Sequence, residues 1–94
     1  MQISDQLLQG RTVIAGDGQA IGEVAALFMD TSTWTVTSLQ IKLSKTAADQ
    51  LGAERSLLHA ATIDLPVRMI QSVGDTVLLS VPTTGLRQTS DQHE

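Results

Sequence analysis

The sequence has no cysteine and no tyrosine, and Phe28 and Trp34 are its only aromatic side chains. Without thiols there can be no disulfide, thiolate-ligated zinc or cysteine nucleophile, and the redox compartment is left open. With two aromatics, a core has to be assembled from Leu, Ile, Val, Met and Ala. Charge is sparse too, at 17% of residues with a formal net charge of −4. The six basic residues, Arg11, Lys42, Lys45, Arg55, Arg68 and Arg87, form no run. A nucleic-acid backbone is held by clustered Lys and Arg, so no nucleic-acid partner is expected. The longest apolar stretch, VAALFM at 24–29, falls far short of the ~20 residues of a spanning helix. No basic and apolar leader opens the chain. The expectation is a cytoplasmic protein without a membrane span.

What remains is one domain's worth of chain. At 94 residues a chain buries roughly 60–68% of its unfolded surface, enough for one modest core. SDQLLQG (4–10) opens with capping residues and closes on glycine, which suits a single helical turn. RTVIA (11–15) is β-branched, runs into GDGQ, and returns as AIGEVAALFMD (20–30). Two such runs separated by Gly and Asp predict a β-hairpin. After the polar break TSTW, the stretch 33–44 alternates strongly but changes phase once. Trp34 and Val36 occupy even positions, whereas Leu39, Ile41 and Leu43 occupy odd ones. One inserted residue near Thr37–Ser38, a β-bulge, repairs the phase and curls the sheet.

KTAADQLGAERS (45–56) has helical texture, with Ser44 or Thr46 as cap and Gly52 as terminator. LLHAATIDLP (57–66) reads as strand. VRMIQSVGD (67–75) spaces Val67, Ile70 and Val73 by three, suggesting a helical or 3₁₀ turn closed by Gly74–Asp75. TVLLSVP (76–82) is the last strand, and 82–94 is polar and reads as a flexible tail behind a domain at 1–81. The fold class is mainly β, a small barrel of five to six antiparallel strands with one or two short helical turns.

Gly16, Gly18 and Gly22 raise the question of a phosphate loop. A dinucleotide fingerprint needs G-x-G-x-x-G between a strand and a helix, with an acid about 20 residues on. Here the third glycine position is Ile21, and no acid lies between Asp30 and Asp49. The hairpin reading assigns positive φ to Gly16 and Gly18 and relief of crowding at a strand bend to Gly22.

Three stretches together resemble the PRC-barrel domain: LLQGRTVIAGDGQAIGEVAALFMD (7–30), the strand TWTVTSLQIKL behind it, and IDLPVRMIQSVGDTVLLS (63–80). The likeness spans about residues 5–81. It implies a small β-barrel like the end domain of the photosynthetic reaction-centre H subunit and that of ribosome maturation factors. It also implies a module that docks to protein partners, with no shared catalytic residues to carry over. Within these residues there is neither the transmembrane helix of the former nor the RNA-associated domain of the latter, so neither role is inherited.

The remaining chemistry-bearing residues are dispersed. His59 and Asp64 lie five apart, on opposite faces of a strand. His93 sits between Asp91 and Glu94 in the polar tail, and Asp17, Asp30 and Asp75 occupy turn positions where a carboxylate satisfies backbone N–H groups. No catalytic residue, cofactor or metal is assigned. Trp34 either anchors a partner on the rim or plugs the barrel end. Thr33, Thr35 and Thr37 form a polar edge rich in β-formers, which invites self-pairing. The expectation is therefore a non-enzymatic protein–protein interaction module whose protein partner is unidentified, and a homo-oligomer, most simply a dimer. Its contacts are assigned to Trp34, Thr35 and Thr37, with Arg11 and Arg68 as charged rim. A ribosome- or RNA-associated factor and a small-ligand binder are the alternatives.

Overall fold

The computed structural model describes residues 2–52 and 61–86. His59, His93 and the segment 87–94 lie outside the described residues. The elements are α1 (Asp5–Leu8), β1 (Thr12–Ile14), β2 (Ala20–Asp30), β3 (Thr35–Leu43), α2 (Lys45–Leu51), β4 (Thr62–Pro66), a 3₁₀ turn (Val67–Met69), β5 (Ile70–Val73), β6 (Val77–Leu79) and a second 3₁₀ turn (Thr83–Gly85). Both helices start as the sequence suggests. The side chains of Ser4 and Ser44 accept hydrogen bonds from the N–H groups of Leu7 and Ala47, and Gly52 ends α2 in the left-handed conformation.

The strands form one mixed sheet in the order β4-β3-β2-β1-β6-β5. The expectation of purely antiparallel pairing fails at one seam, where β1 and β6 run parallel with Val13 opposite Val77. Chain direction is the cause, because β6 reaches that seam as the return arm of the β5–β6 hairpin. The sheet is not closed. Its outermost strands, β4 and β5, are nevertheless joined by three residues, Val67–Met69. Four peptide steps from Pro66 to Ile70 span at most about 14 Å. The sheet must therefore curl until its two edges face each other, which is the barrel-like shape.

Curling is concentrated at bulges. Phe28 pairs with Ser38 and Met29 with Val36, so Thr37 is the extra residue on β3, where the phase change put it. Three further irregularities leave Ala25 extra against β3, Ile21 extra against β1 and Gln71 extra against β6. The last also corrects the reading of 67–75 as one turn, since only 67–69 is 3₁₀ and 70–73 is strand β5. Backbone pairing with β6 overrides the three-residue apolar spacing there.

The core is aliphatic throughout. Val13, Ile21, Ile41, Leu65, Leu79 and Leu86 are among its fully buried side chains, and Ala47, Ala48 and Leu51 of α2 cover one end. Part of the stretch assigned to the polar tail belongs to this core, since Thr83 and Leu86 are buried behind the second 3₁₀ turn. Polar composition hid one well-placed leucine. Gly18 adopts φ +87° in the β1–β2 turn, as read. Gly16 does not have positive φ. Its N–H donates to the Val81 carbonyl at 2.7 Å, and a Cβ there would lie 3.1 Å from that group.

Gly22 is the tightest point. A Cβ at Gly22 would lie 2.1 Å from the Lys42 carbonyl oxygen and 3.0 Å from the Leu43 Cα. Backbone cannot swing aside as a side chain can. Gly22→Ala is expected to cost about 2 kcal/mol or more, a Tm lowered by roughly 8–16 °C in a domain of this size. Thermal denaturation measures this, and an unchanged midpoint would refute the close approach.

Candidate protein-interaction site

β2 and β3, eleven and nine residues long, outrun their neighbours. On one side β1 pairs with β2 only as far as Glu23, followed by a hydrogen bond from the Val24 N–H to the Arg11 carbonyl at 3.0 Å. On the other, β4 pairs with β3 no further than Pro66 opposite Ser38. Beyond those points the two strands continue as a ribbon, and among the described residues no strand pairs with the outer edge of β2 from 25 to 30.

Asp30 builds the turn at the ribbon's tip. Its Oδ1 accepts from the Ser32 N–H at 2.9 Å and from the Ser32 hydroxyl at 2.7 Å, and its carbonyl accepts from the Trp34 N–H at 2.7 Å. These bonds, led by the Ser32 hydroxyl and then its N–H, hold the Asp30 carboxyl below its ordinary value against the opposing effect of desolvation. The hydroxyls of Thr33 and Thr35 lie 2.7 Å apart, and the Thr37 hydroxyl donates to the Phe28 carbonyl at 3.4 Å.

Trp34 has φ +58°, alone among non-glycine residues in the described chain. A bulky side chain in that left-handed region costs about 1 kcal/mol. With 75% of its surface exposed, it recovers little by burial and does not plug the barrel. Around it the ribbon exposes Phe28, Met29 and Val36, with Met29 directly opposite Val36. The protein's two aromatic side chains both lie outside its core.

The residues singled out from sequence separate here. Trp34, Thr35 and Thr37 share the tip and are exposed. Arg68, also exposed, follows Pro66 and so lies beside the base of the ribbon. Arg11 lies elsewhere. Its Nε donates to the Leu7 carbonyl at 2.9 Å and its Nη1 to the Gly74 carbonyl, which ties α1 to the β5–β6 turn. It is level with Val24, six residues along β2 from the Asp30 turn, or about 20 Å. Sequence reasoning missed Phe28, Met29 and Val36, which look like core residues in a strand. The available signal was the phase change at Thr37, which marks where the core-facing period stops.

A second polar group lies where the first turn meets the end of the described chain. Asp17 accepts from the Thr83 N–H at 3.3 Å and the Thr83 hydroxyl at 3.1 Å, and Gln19 Nε2 donates to Gln50 Oε1 at 2.7 Å. These side chains, with Leu51 and Thr84, border a cleft of about 380 Å³. Desolvation pushes the Asp17 carboxyl upward, but hydrogen bonds from the Gln19 and Thr83 N–H groups and the Thr83 hydroxyl outweigh it, so the group sits below its ordinary value. The cluster works as a clasp between the β1–β2 turn and the second 3₁₀ turn. Among the described residues no buried side-chain polar atom lacks a partner, and no group of three or more His, Asp or Glu side chains converges.

The family model of the PRC-barrel domain matches residues 1–86. No curated protein matches the chain. No helix among the described residues is long and apolar enough to cross a membrane.

Two outcomes are expected. Trp34→Gly relieves the left-handed strain and removes no core contact, so its Tm should equal or exceed that of the unaltered protein by a few degrees; a large drop would mean that Trp34 is structural. Carboxyls held below the ordinary 3.8 stabilise the fold above that value and lose this contribution as pH falls through it towards the folded pKa. Urea denaturation from pH 6 down to pH 2 should accordingly show stability falling from roughly pH 4 downward. In an Asp17→Asn, Asp30→Asn double variant the fall should be shallower, and parallel profiles would contradict the assignment.

Proposed function

The chain belongs to the PRC-barrel domain family, and we propose that it is a non-catalytic, cytoplasmic protein–protein interaction and assembly module that also associates with itself. The contact face is the β2–β3 ribbon, centred on Trp34. The supporting observation is that this tryptophan is fully formed into a strained, hydrogen-bonded turn yet turned to solvent. Strain of that kind persists where the side chain is used for something other than folding, and Trp is the residue most enriched among interface hot spots. Met29 and Val36 supply apolar surface on one face of the ribbon and Phe28 on the other, with Thr35 and Thr37 as polar margin and Arg68 as a charge at the base.

Charge favours a protein partner over RNA. Between Leu27 and Thr37 the only charged residue is Asp30, whereas a phosphate backbone is gripped by several Lys and Arg side chains. The match to the PRC-barrel domain supports the non-catalytic reading, because that resemblance brings no catalytic set with it.

Affinity capture from the native host, quantified by mass spectrometry, tests the face. Trp34→Ala should reduce the captured partners by roughly thirtyfold, as removal of a hot spot of ~2 kcal/mol does. Lys45→Ala, on α2, should leave them unchanged. Retention of every partner by the Trp34→Ala protein would remove the ribbon from the account.

A further inference from the structure

We propose that the outer edge of β2 from Ala26 to Asp30 is covered by the same segment of a second copy of this chain, antiparallel about a two-fold axis through Phe28. The proposal deepens the self-association just described and rests on it. An unpaired strand edge is a row of unsatisfied backbone donors and acceptors. Stable monomers guard such edges with lysine, proline or inward-pointing charge. The segment AALFMD (25–30) has no lysine and no proline, and its one charged side chain, Asp30, is engaged in its own turn.

Symmetry narrows the pairing. A two-fold axis perpendicular to a sheet keeps every residue on its own face, so the only allowed registers place like parity opposite like parity. Centring on Leu27 would run the ladder into Ala25, which the bulge removes from register. A centre at Met29 would drive it into the turn that starts beyond Asp30. Centring on Phe28 avoids both. It sets Phe28 against Phe28 of the second copy, Leu27 against Met29 of the second copy, and Ala26 against its Asp30. Every central pair is apolar, and Phe28 faces its own kind as an aromatic cross-strand pair.

A second copy also suits the electrostatics. At a net charge of −4 two molecules repel each other over most of their surface, and the ribbon is the place where little charge is brought together. In this register the two Asp30 residues lie about 13 Å apart along the strands, beyond the Debye length of about 8 Å at physiological salt. On the paired edge itself Phe28 and Met29 are 42 and 43% exposed, so an apolar side chain on each face of β2 is partly covered by the second copy. Val36 lies one strand further in on β3, and Trp34 just before it. The association is thus expected to be weak and insensitive to moderate salt.

Absence of native cysteine makes the test direct. Under mild oxidation, purified Phe28→Cys protein should form a disulfide-linked dimer on non-reducing gels. Leu27→Cys and Met29→Cys should each stay single alone and link only when mixed, because same-residue diagonals at about 7–8 Å exceed the Cα separation a disulfide tolerates. The unaltered protein should sediment at twice 10.0 kDa at tens of micromolar, and Phe28→Lys as a folded monomer by circular dichroism. A monomer mass for the unaltered protein across that range overturns the pairing. Should Trp34→Ala still abolish partner capture in that case, the interaction reading survives alone. A dimer that links through Trp34→Cys and not through Phe28→Cys overturns this register while leaving self-association intact.

Discussion

The antiparallel ladder between β2 and β3, from Gly22 opposite Leu43 to Asp30 opposite Thr35, is the element on which the remainder depends. It is the longest pairing in the sheet and joins two strands that carry both buried core residues and the exposed apolar residues Phe28, Met29 and Val36. At one end Gly22 lets the backbone of β2 lie against the Lys42 carbonyl, with no room for a side chain. At the other the Asp30 turn reverses the chain. Between them two bulges, at Ala25 and Thr37, divide the ladder into a part that belongs to the barrel and a part that leaves it.

That division organises the protein. On the barrel side, Ile21, Val24, Leu39, Ile41 and Leu43 are buried against β1, β4, β6 and α2. Beyond Leu27, which still packs on the core, Phe28, Met29 and Val36 carry the apolar sequence on into exposed positions. A core made only of aliphatic side chains packs small volumes closely and has no need of a large ring. The two aromatic residues stand on the ribbon, where a rigid side chain of large area provides binding at small entropic cost. Fold and candidate contact face are thus one hairpin, segregated by a single extra residue on β3.

Much of the architecture was legible in order and texture. The Gly-Asp turn, the serine caps, the αL glycine after α2 and the bulge near Thr37 all follow from short-range chemistry that acts within a few residues. Other features were not. The role of Gly16 depends on Val81, sixty-five positions away, and that of Arg11 on the Gly74 carbonyl. Strand β5 was hidden because, among the described residues, its four residues pair only with β6, and Leu86 because it is buried inside a stretch of polar composition.

The amino-acid sequence by itself determined a small, aliphatic, mainly β domain of PRC-barrel type and the places where the chain turns, because glycine, aspartate and β-branched residues restrict φ and ψ locally. Tertiary structure alone decided which apolar residues face inward. Phe28, Met29 and Val36 are as hydrophobic as their buried neighbours. Met29 and Val36 are exposed because β2 and β3 extend past β1 and β4, and Phe28 because it alternates with Leu27, which packs on the core. The length of one strand relative to another is a property of the assembled sheet that no local stretch encodes.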